Sequence, residues 1–242
     1  MTSQTPSQNH LLSTLSRADA ALLWPHFKAM GLPLRFVLEP PNRSIKHVYF
    51  LEAGIASVVA SDGQEAIEAG IFGSEGMSGM AIVMGDDRSP HSTYMQVEGR
   101  GLRIADSRLR GAMDQSPTLR VSLLRFVQAF TAQTAQTALA NGRATIERRL
   151  ARWLLMAHDR LDVDTLPITH EFLGLMLGVR RSGVTIALHE LKKRELIRAA
   201  RGLVEVVDRK GLEKLAGRIY GVSLAEYRRL TGWVPPNSRN VH

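Results

Sequence analysis

Residues 168–207, ITHEFLGLMLGVRRSGVTIALHELKKRELIRAARGLVEVV, predict a helix, a tight turn, a second helix and a short two-stranded ribbon. Thr169 can cap the first helix, and Glu171 follows in the first turn, where the helix dipole favours a negative charge. The apolar side chains of this helix recur at helical spacing, at Leu173, Met176 and Leu177. Gly178 then supplies the permissive backbone that a tight turn between two helices requires.

The second helix, at about residues 180–194, has two chemically different faces. Its predicted buried face consists of Val184, Ala187, Leu188 and Leu191. Its other face carries Arg181, Ser182, Thr185, His189 and Lys192. Basic and small polar groups of this kind suit a helix in the major groove of DNA, because they donate to guanine and phosphate and allow close approach. A basic helix face can also be merely solvated, so the prediction depends on the order of the whole stretch.

Residues 198–202 form a predicted turn, and residues 203–207 return as a β-branched strand, the wing. The complete order predicts a winged helix-turn-helix that binds double-stranded DNA in a sequence-specific way. The predicted DNA contacts are Thr169, Arg180, Arg181, Ser182, Thr185, His189, Lys192 and Arg201.

The amino-acid composition limits which partners, metal sites and cellular locations the chain can have. The chain has 242 residues, of which 44% are hydrophobic, and a formal net charge of +8, which favours a polyanionic partner. The lack of cysteine excludes disulfides, thiolate metal sites and iron–sulfur clusters. No apolar run reaches the length of a membrane span, and the polar residues 1–10 predict a disordered tail without a signal peptide. We therefore expect a cytoplasmic protein without membrane contact.

The first part of the chain predicts short helices followed by a sheet. Residues 11–30 have a helical pattern that Pro25 divides. From residue 32 to about 106, short β-rich runs separated by glycine, proline, asparagine and aspartate predict an antiparallel sandwich or barrel, with a short helix at about 77–84. The predicted strands are the runs 35–39, 47–52, 54–61, 65–72, 91–99 and 101–105. Asp62 and Gly63 are a strong hairpin signal between two of these strands.

Ser116 and Pro117 begin a long helix that ends near Asn141 and Gly142. A heptad-like seam runs along it, at Leu119, Leu123, Phe126, Phe130, Gln133 and Thr137. This seam predicts a homodimer, although the helix can also pack on its own sheet. A further helix at 145–161 has several arginines opposite its apolar face. Two helices are predicted after the wing, followed by a frayed end.

The order of these elements resembles the Crp/Fnr superfamily of bacterial transcription regulators over about residues 30–215. The resemblance implies an α+β chain with three parts. An N-terminal antiparallel β-roll, of the cyclic-nucleotide-binding-like type, occupies residues 1–116. A dimerisation helix follows at 117–142, and a winged helix-turn-helix domain at 143–242. It also implies a homodimer on a pseudo-palindromic operator, control by a signal in the β-roll, and RNA polymerase as a partner.

Within the resemblance, Arg181 falls where family members carry an arginine that contacts guanine. Bidentate pairing with guanine O6 and N7 is the chemistry that it would use. Ser182 replaces the usual glutamate, and Ile186 replaces a second arginine of the best-known member. The operator should therefore differ at the positions that these two residues read. Gly183 costs roughly 1 kcal/mol in helix propensity, with close backbone approach as one explanation.

The family's nucleotide-binding cassette is matched only in part. GIFGSEGMSG places Glu75 near the ribose-binding glutamate, and His91-Ser92 or Arg88-Ser89 falls at the Arg-Ser/Thr pair that holds the cyclic phosphate. Without that arginine an anion site loses its bidentate donor. We therefore expect no cyclic nucleotide, no cofactor and no metal, and the effector stays unknown. The candidate ligand-binding residues are Gly73, Glu75, Gly76, His91 and Ser92.

Two other classes of function fit this sequence less well. The alternative to a DNA-binding regulator is a small-molecule-binding regulatory module whose helix-turn-helix contacts protein, but such a helix more often exposes apolar anchors. An enzyme is not expected, because histidines, serines and carboxylates lack the spacing of a catalytic constellation.

Overall fold

The computed structural model describes residues 7–161 and 163–238. These form two compact units. The first contains residues up to 57 together with 72–129, and the second contains 58–71 together with the residues from 130 onward. No helix in the described part of the chain has the length and apolar character needed to cross a membrane. The predicted tail and frayed end lie partly outside the described residues, at 1–6 and 239–242.

A five-stranded sheet forms the β-roll, and its antiparallel character confirms the predicted fold class. The strand order is β1-β5-β3-β4, and β2 also pairs with β5. The strands are β1 (Lys28–Leu32), β2 (Val37–Glu39), β3 (His47–Ser61), β4 (Ala66–Phe72) and β5 (Ser92–Ala105). Asp62 and Gly63 make the predicted hairpin turn, in which Gly63 has a φ of +96°.

Three local predictions for this region were wrong. Residues 28–30 were predicted as the end of a helix but belong to strand β1 (Lys28–Leu32), because this segment pairs with residues 99–103 of β5. The runs 47–52 and 54–61 were predicted as separate strands but are one strand, β3. Gly54, at φ +87°, lies within β3 without ending it, and a Cβ there would lie only 2.7 Å from the Val97 carbonyl oxygen. In the same way, the two runs predicted within 91–105 form one strand, β5.

Short helices complete the first unit: α1 (His10–Ser13), α2 (Arg17–Leu23), α3 (Met80–Met84) and α4 (Asp106–Gln115). Residue 9, part of the predicted tail, is instead buried: the Asn9 side chain caps α1 and donates to the carbonyls of Leu51 and Gly76. Helix α4 was not predicted. The carboxylate of Asp19 in α2 accepts hydrogen bonds from Ser116 and Thr118, and the Ser116 hydrogen bond is the main reason why the pKa of Asp19 lies below its usual value.

The long helix α5 (Pro117–Arg143) has the predicted start and end. The structure corrects its seam, however. Five of the six seam residues are at most 7% exposed within the single chain, and Thr137 is half-buried, with its hydroxyl bonded to the Gln133 carbonyl. These residues are therefore not available to a second chain.

Three of the seam residues, Phe126, Phe130 and Gln133, contact strand β4 or the loop after it. The Phe126 ring meets the Phe72 ring edge-on at 6.4 Å, and the Phe130 ring lies against Gly70. Gln133 donates to the carbonyl of Ile71 at 3.0 Å and accepts from its N–H at 3.3 Å. The alternative prediction, a helix packed on its own sheet, accounts for this face.

The second unit is mainly helical. Its helices are α6 (Ile146–His158), α7 (His170–Leu177), α8 (Arg181–Lys193), α9 (Arg209–Ala216) and α10 (Arg218–Thr231). The unit also contains a three-stranded sheet of β6 (Thr165–Pro167), β7 (Ile197–Ala200) and β8 (Leu203–Val206), in the order β6-β8-β7. The wing therefore has three strands rather than the predicted two, because residues 165–167 pair with β8.

Two arginines are buried rather than solvated: Arg152 within α6, and Arg160 just after its C-terminal end. Arg152 donates to the carbonyls of Ile219 and Gln133, and burial lowers the pKa of Arg152 to about 10. The Arg160 guanidinium lies over the rings of Tyr227 and Trp233, at 5.7 and 5.4 Å from their centroids. These contacts fix α10 and the residues after it against α6.

Candidate nucleic-acid interface

Helix α7 and the turn after it have the predicted local geometry. The Thr169 hydroxyl accepts from the Phe172 N–H at 3.2 Å, which confirms Thr169 as the cap, and Glu171 lies in the first turn. Gly178 ends the helix at φ +57°, in the left-handed region that favours glycine. The turn glycine is therefore required by backbone conformation, as the sequence predicted.

The same turn receives two contacts that were not predicted. The Arg149 side chain from α6 donates to the Leu177 carbonyl in the last turn of α7, and burial lowers the pKa of Arg149. Ile67 of β4 lies against Gly178, since a Cβ on Gly178 would be 2.7 Å from its Cδ1. In the same strand, the Glu68 carboxylate accepts from the Trp153 indole N–H at 2.8 Å. The β3–β4 hairpin thus contacts the turn and the helix α6.

Helix α8 presents the two predicted faces. The buried face is at most 3% exposed at Val184, Ala187, Leu188 and Leu191. Its solvent-exposed face consists of Arg181, Ser182, Thr185, Ile186, His189, Lys192 and Lys193. Lys193 and Ile186 were not among the predicted contacts. The remaining predicted contacts, Thr169, Arg180 and Arg201, are also exposed, and Arg201 lies in the turn between the wing strands β7 and β8.

Hydrogen bonds within the chain restrict whether Thr185 can donate or accept a hydrogen bond toward a ligand. The Thr185 hydroxyl donates to the Arg181 carbonyl at 3.1 Å and lies 3.4 Å from the His170 Nδ1 atom. Because a hydroxyl has a single hydrogen, Thr185 can act toward a ligand only as an acceptor in this conformation. Thr169 is in the opposite situation, since its oxygen accepts the capping bond and its hydroxyl can still donate to an acceptor.

Gly183 should tolerate a methyl group. A Cβ there would lie 3.4 Å from the Ile146 Cδ1 atom and 3.7 Å from the Val179 side chain, which is ordinary contact. Gly183→Ala should therefore raise the free energy of unfolding by up to about 1 kcal/mol through helix propensity, measured by urea denaturation. Gly178→Ala is the matched control and should destabilise by about 1–2 kcal/mol because of its left-handed backbone. A loss of stability in Gly183→Ala would contradict this account.

The candidate ligand residues are engaged within the first unit. Glu75 is fully buried, and its carboxylate accepts from the Gly73 N–H at 2.9 Å. A Cβ on Gly76 would lie 2.6 Å from the Phe126 ring, so packing on α5 accounts for that glycine. His91 and Ser92 are half-buried at the start of β5, where the His91 N–H donates to the Ser89 hydroxyl. A ligand role for these five residues stays a prediction.

Comparison with known proteins agrees with this architecture. A sequence model of the Crp-like helix-turn-helix domain matches residues 148–215. FixK2 from Bradyrhizobium japonicum is 15% identical, with a TM-score of 0.67, over 79% of this chain and 98% of that chain. CLP from Xanthomonas campestris, described as a c-di-GMP responsive global regulator, is 16% identical, with a TM-score of 0.64, over 79% and 99%.

A CRP-family transcriptional regulator from Thermus thermophilus is 17% identical, with a TM-score of 0.64, over 78% of this chain and 96% of that chain. Among curated protein sequences, none matches this chain. At these identities the solved structures show a shared fold, and the domain match adds the family of the helix-turn-helix. Residues 148–215 therefore match the Crp-like helix-turn-helix domain, and the chain has the fold of the solved Crp/Fnr-type structures, as the resemblance implied.

Proposed function

We propose that this chain is a transcription regulator that binds a pseudo-palindromic operator as a homodimer and is controlled through its β-roll. The observation that carries the proposal is the exposed face of α8. It combines cationic and small polar side chains on a helix whose opposite face is buried. A helix of this kind, held by a tight turn and flanked by a wing, is the arrangement that reads the major groove.

The charge of the chain supports the same partner. The formal net charge is +8, and Arg180, Arg181, Lys192 and Arg201 are exposed on the helix-turn-helix and the wing. Binding through these groups releases counterions from the DNA, so affinity should fall steeply with salt. Two copies of α8 would read half-sites whose centres lie about 34 Å apart, one turn of the double helix.

The homodimer is assigned to the outward face of α5. We define the outer stripe as Val121, Leu124, Gln128, Ala132, Ala135 and Leu139. Its members follow one another at steps of three or four residues, which keeps them on one side of the helix. Val121, Leu124 and Leu139 are 45%, 39% and 49% exposed in the single chain. A second copy of α5 would bury this apolar and small-residue stripe, as the helices of a coiled coil do.

The contact of the β3–β4 hairpin with the helix-turn-helix supports control through the β-roll. Ile67 lies against the turn glycine Gly178, and Glu68 holds Trp153 of α6. Because β3 and β4 are strands of the same sheet as β1 and β5, a signal that shifts the sheet would reach α7 and α8 through these side chains. The effector and recruitment of RNA polymerase stay predictions, without an assigned surface.

The decisive experiment selects operators from random double-stranded DNA and measures binding over a range of salt concentrations. In the selected operator, Arg181→Ala should reduce discrimination at one guanine per half-site by roughly 1–3 kcal/mol, because bidentate contact with O6 and N7 is lost. Replacing that guanine with 7-deazaguanine should weaken the wild type and leave the variant unaffected.

Arg229→Ala is the matched control, because Arg229 is an exposed arginine of α10 outside the helix-turn-helix and the wing. It should change neither affinity nor preference. Equal weakening of Arg181→Ala on all sequences would reduce Arg181 to a phosphate contact. If no DNA is retained at low salt, the proposal fails and the alternative, a helix-turn-helix that contacts protein, is favoured.

A further inference from the structure

One residue on the exposed face of α8 is apolar, although its neighbours on that face are polar or basic. Ile186 is 62% exposed, although it lies among Arg181, Ser182, Thr185 and His189. The core of the domain does not use it, because the buried face of the same helix is complete without it. Most of this large aliphatic side chain is therefore outside the core of the single chain.

Ile186 occupies the middle of the face that the proposed function turns toward DNA. It follows Ser182 by four residues and precedes His189 by three, so the three side chains share one side of the helix. It lies five residues after Arg181, a rise of about 7.5 Å along the helix. At about 3.4 Å per base along a strand, this spacing is roughly two base-pair steps.

The chemistry of base edges limits what Ile186 can recognise. An aliphatic side chain neither donates nor accepts a hydrogen bond, so it gains nothing from the polar groups of guanine, adenine or cytosine. The thymine C5-methyl is the apolar group that a major-groove base edge presents. Cationic neighbours such as Arg181 and Lys192 favour a polyanion over a protein surface as the partner of this face.

We propose that Ile186 is a specificity-determining residue that reads one thymine of each half-site through its C5-methyl group. This inference rests on the proposed function and deepens it, because it names the base that the isoleucine selects. The operator should accordingly contain a thymine within about two base pairs of the guanine contacted by Arg181.

The test uses deoxyuridine, which differs from thymidine only by the missing methyl group. Each thymine of the selected operator is replaced singly, and the dissociation constant is measured for the wild type, Ile186→Ala and Ser182→Ala. At one position per half-site, the wild type should bind about fourfold more weakly, the factor expected for one lost buried methyl contact. Ile186→Ala should be indifferent to the replacement, whereas Ser182→Ala should keep the fourfold sensitivity.

Each outcome bears on one claim. If the wild type binds the operator but no deoxyuridine changes its affinity, or if Ile186→Ala stays equally sensitive, the inference on Ile186 is overturned while the proposed function stands. If the wild type selects no DNA, the proposed function fails, and the inference with it. If Ile186→Ala keeps the same operator and affinity but loses activation in a transcription assay, Ile186 contacts protein instead. Equal melting temperatures of the variants confirm that the exposed substitutions leave the fold intact.

Discussion

Replacing Arg209 with methionine should lower the free energy of unfolding of the second unit by about 3–5 kcal/mol, the cost of breaking a buried ion pair from one side. The Arg209 guanidinium donates to the Asp159 carboxylate at 2.6 Å, and the two side chains are 11% and 2% exposed. Without Arg209 the Asp159 charge would stay buried, with the Tyr220 hydroxyl as a remaining donor. Thermal unfolding of the full chain measures the effect.

Arg209 also determines which ring nitrogen of the neighbouring His158 carries the hydrogen. It contacts the His158 Nδ1 atom at 2.8 Å, and because a guanidinium can only donate, this nitrogen must accept. The His158 Nε2 atom therefore carries the hydrogen and donates to Asp164 at 2.8 Å. The network connects the end of α6 to α9 and to Tyr220 of α10. Its loss should therefore loosen the helices that support the helix-turn-helix.

The matched control is Arg229→Met, which removes an exposed ion pair with Glu226 from the neighbouring helix. It should leave the melting temperature unchanged, since exposed pairs contribute little. A double variant, Arg209→Met with Asp159→Leu, should recover part of the loss because the unpaired buried charge is gone. If Arg209→Met were as stable as the wild type, the buried pair would not support the unit.

Replacing Leu124 with glutamate should convert the proposed homodimer to a monomer and weaken operator binding by at least about 100-fold, because the second half-site contact is no longer intramolecular. Leu124 lies in the middle of the outer stripe and is 39% exposed in the single chain. A charge at this position on each copy would place two carboxylates in one apolar contact. Sedimentation and DNA-binding titrations measure the two effects.

Leu123→Ala is the control for the other side of the same helix. Leu123 is fully buried, so this variant should lose about 2–5 kcal/mol of stability while keeping the oligomeric state of the wild type. If Leu124→Glu remained dimeric, the outer stripe would not be the interface. If the wild type were monomeric at the concentrations that saturate its operator, the homodimer would be excluded.

Several structural features were predicted correctly from patterns of residues close in sequence. The cap at Thr169, the left-handed turn at Gly178 and the two faces of α8 depend on residues close in sequence, and each has the expected geometry. The start of α5 at Pro117 and the hairpin at Gly63 are of the same kind. In such features the side chain acts on its own backbone, so the type and spacing of residues are sufficient.

Pairing between distant segments was beyond local reasoning. Lys28–Leu32 and Thr165–Pro167 are strands because β5 and β8 offer them hydrogen bonds, not because of their own residues. For the same reason, the heptad pattern of α5 predicted that this face is packed but not which segment packs on it. In the structure, β4 lies against that face.

The sequence by itself thus determined that this chain carries a helix-turn-helix whose second helix has a basic exposed face, because that face follows from the period of one helix. Only the tertiary structure decided three other matters. It showed which side of α5 is free, that the β3–β4 hairpin contacts the turn at Gly178, and that Arg152, Arg160 and Arg209 are buried. Each of these depends on which distant segments exclude water from a side chain, and periodicity along one segment does not specify them.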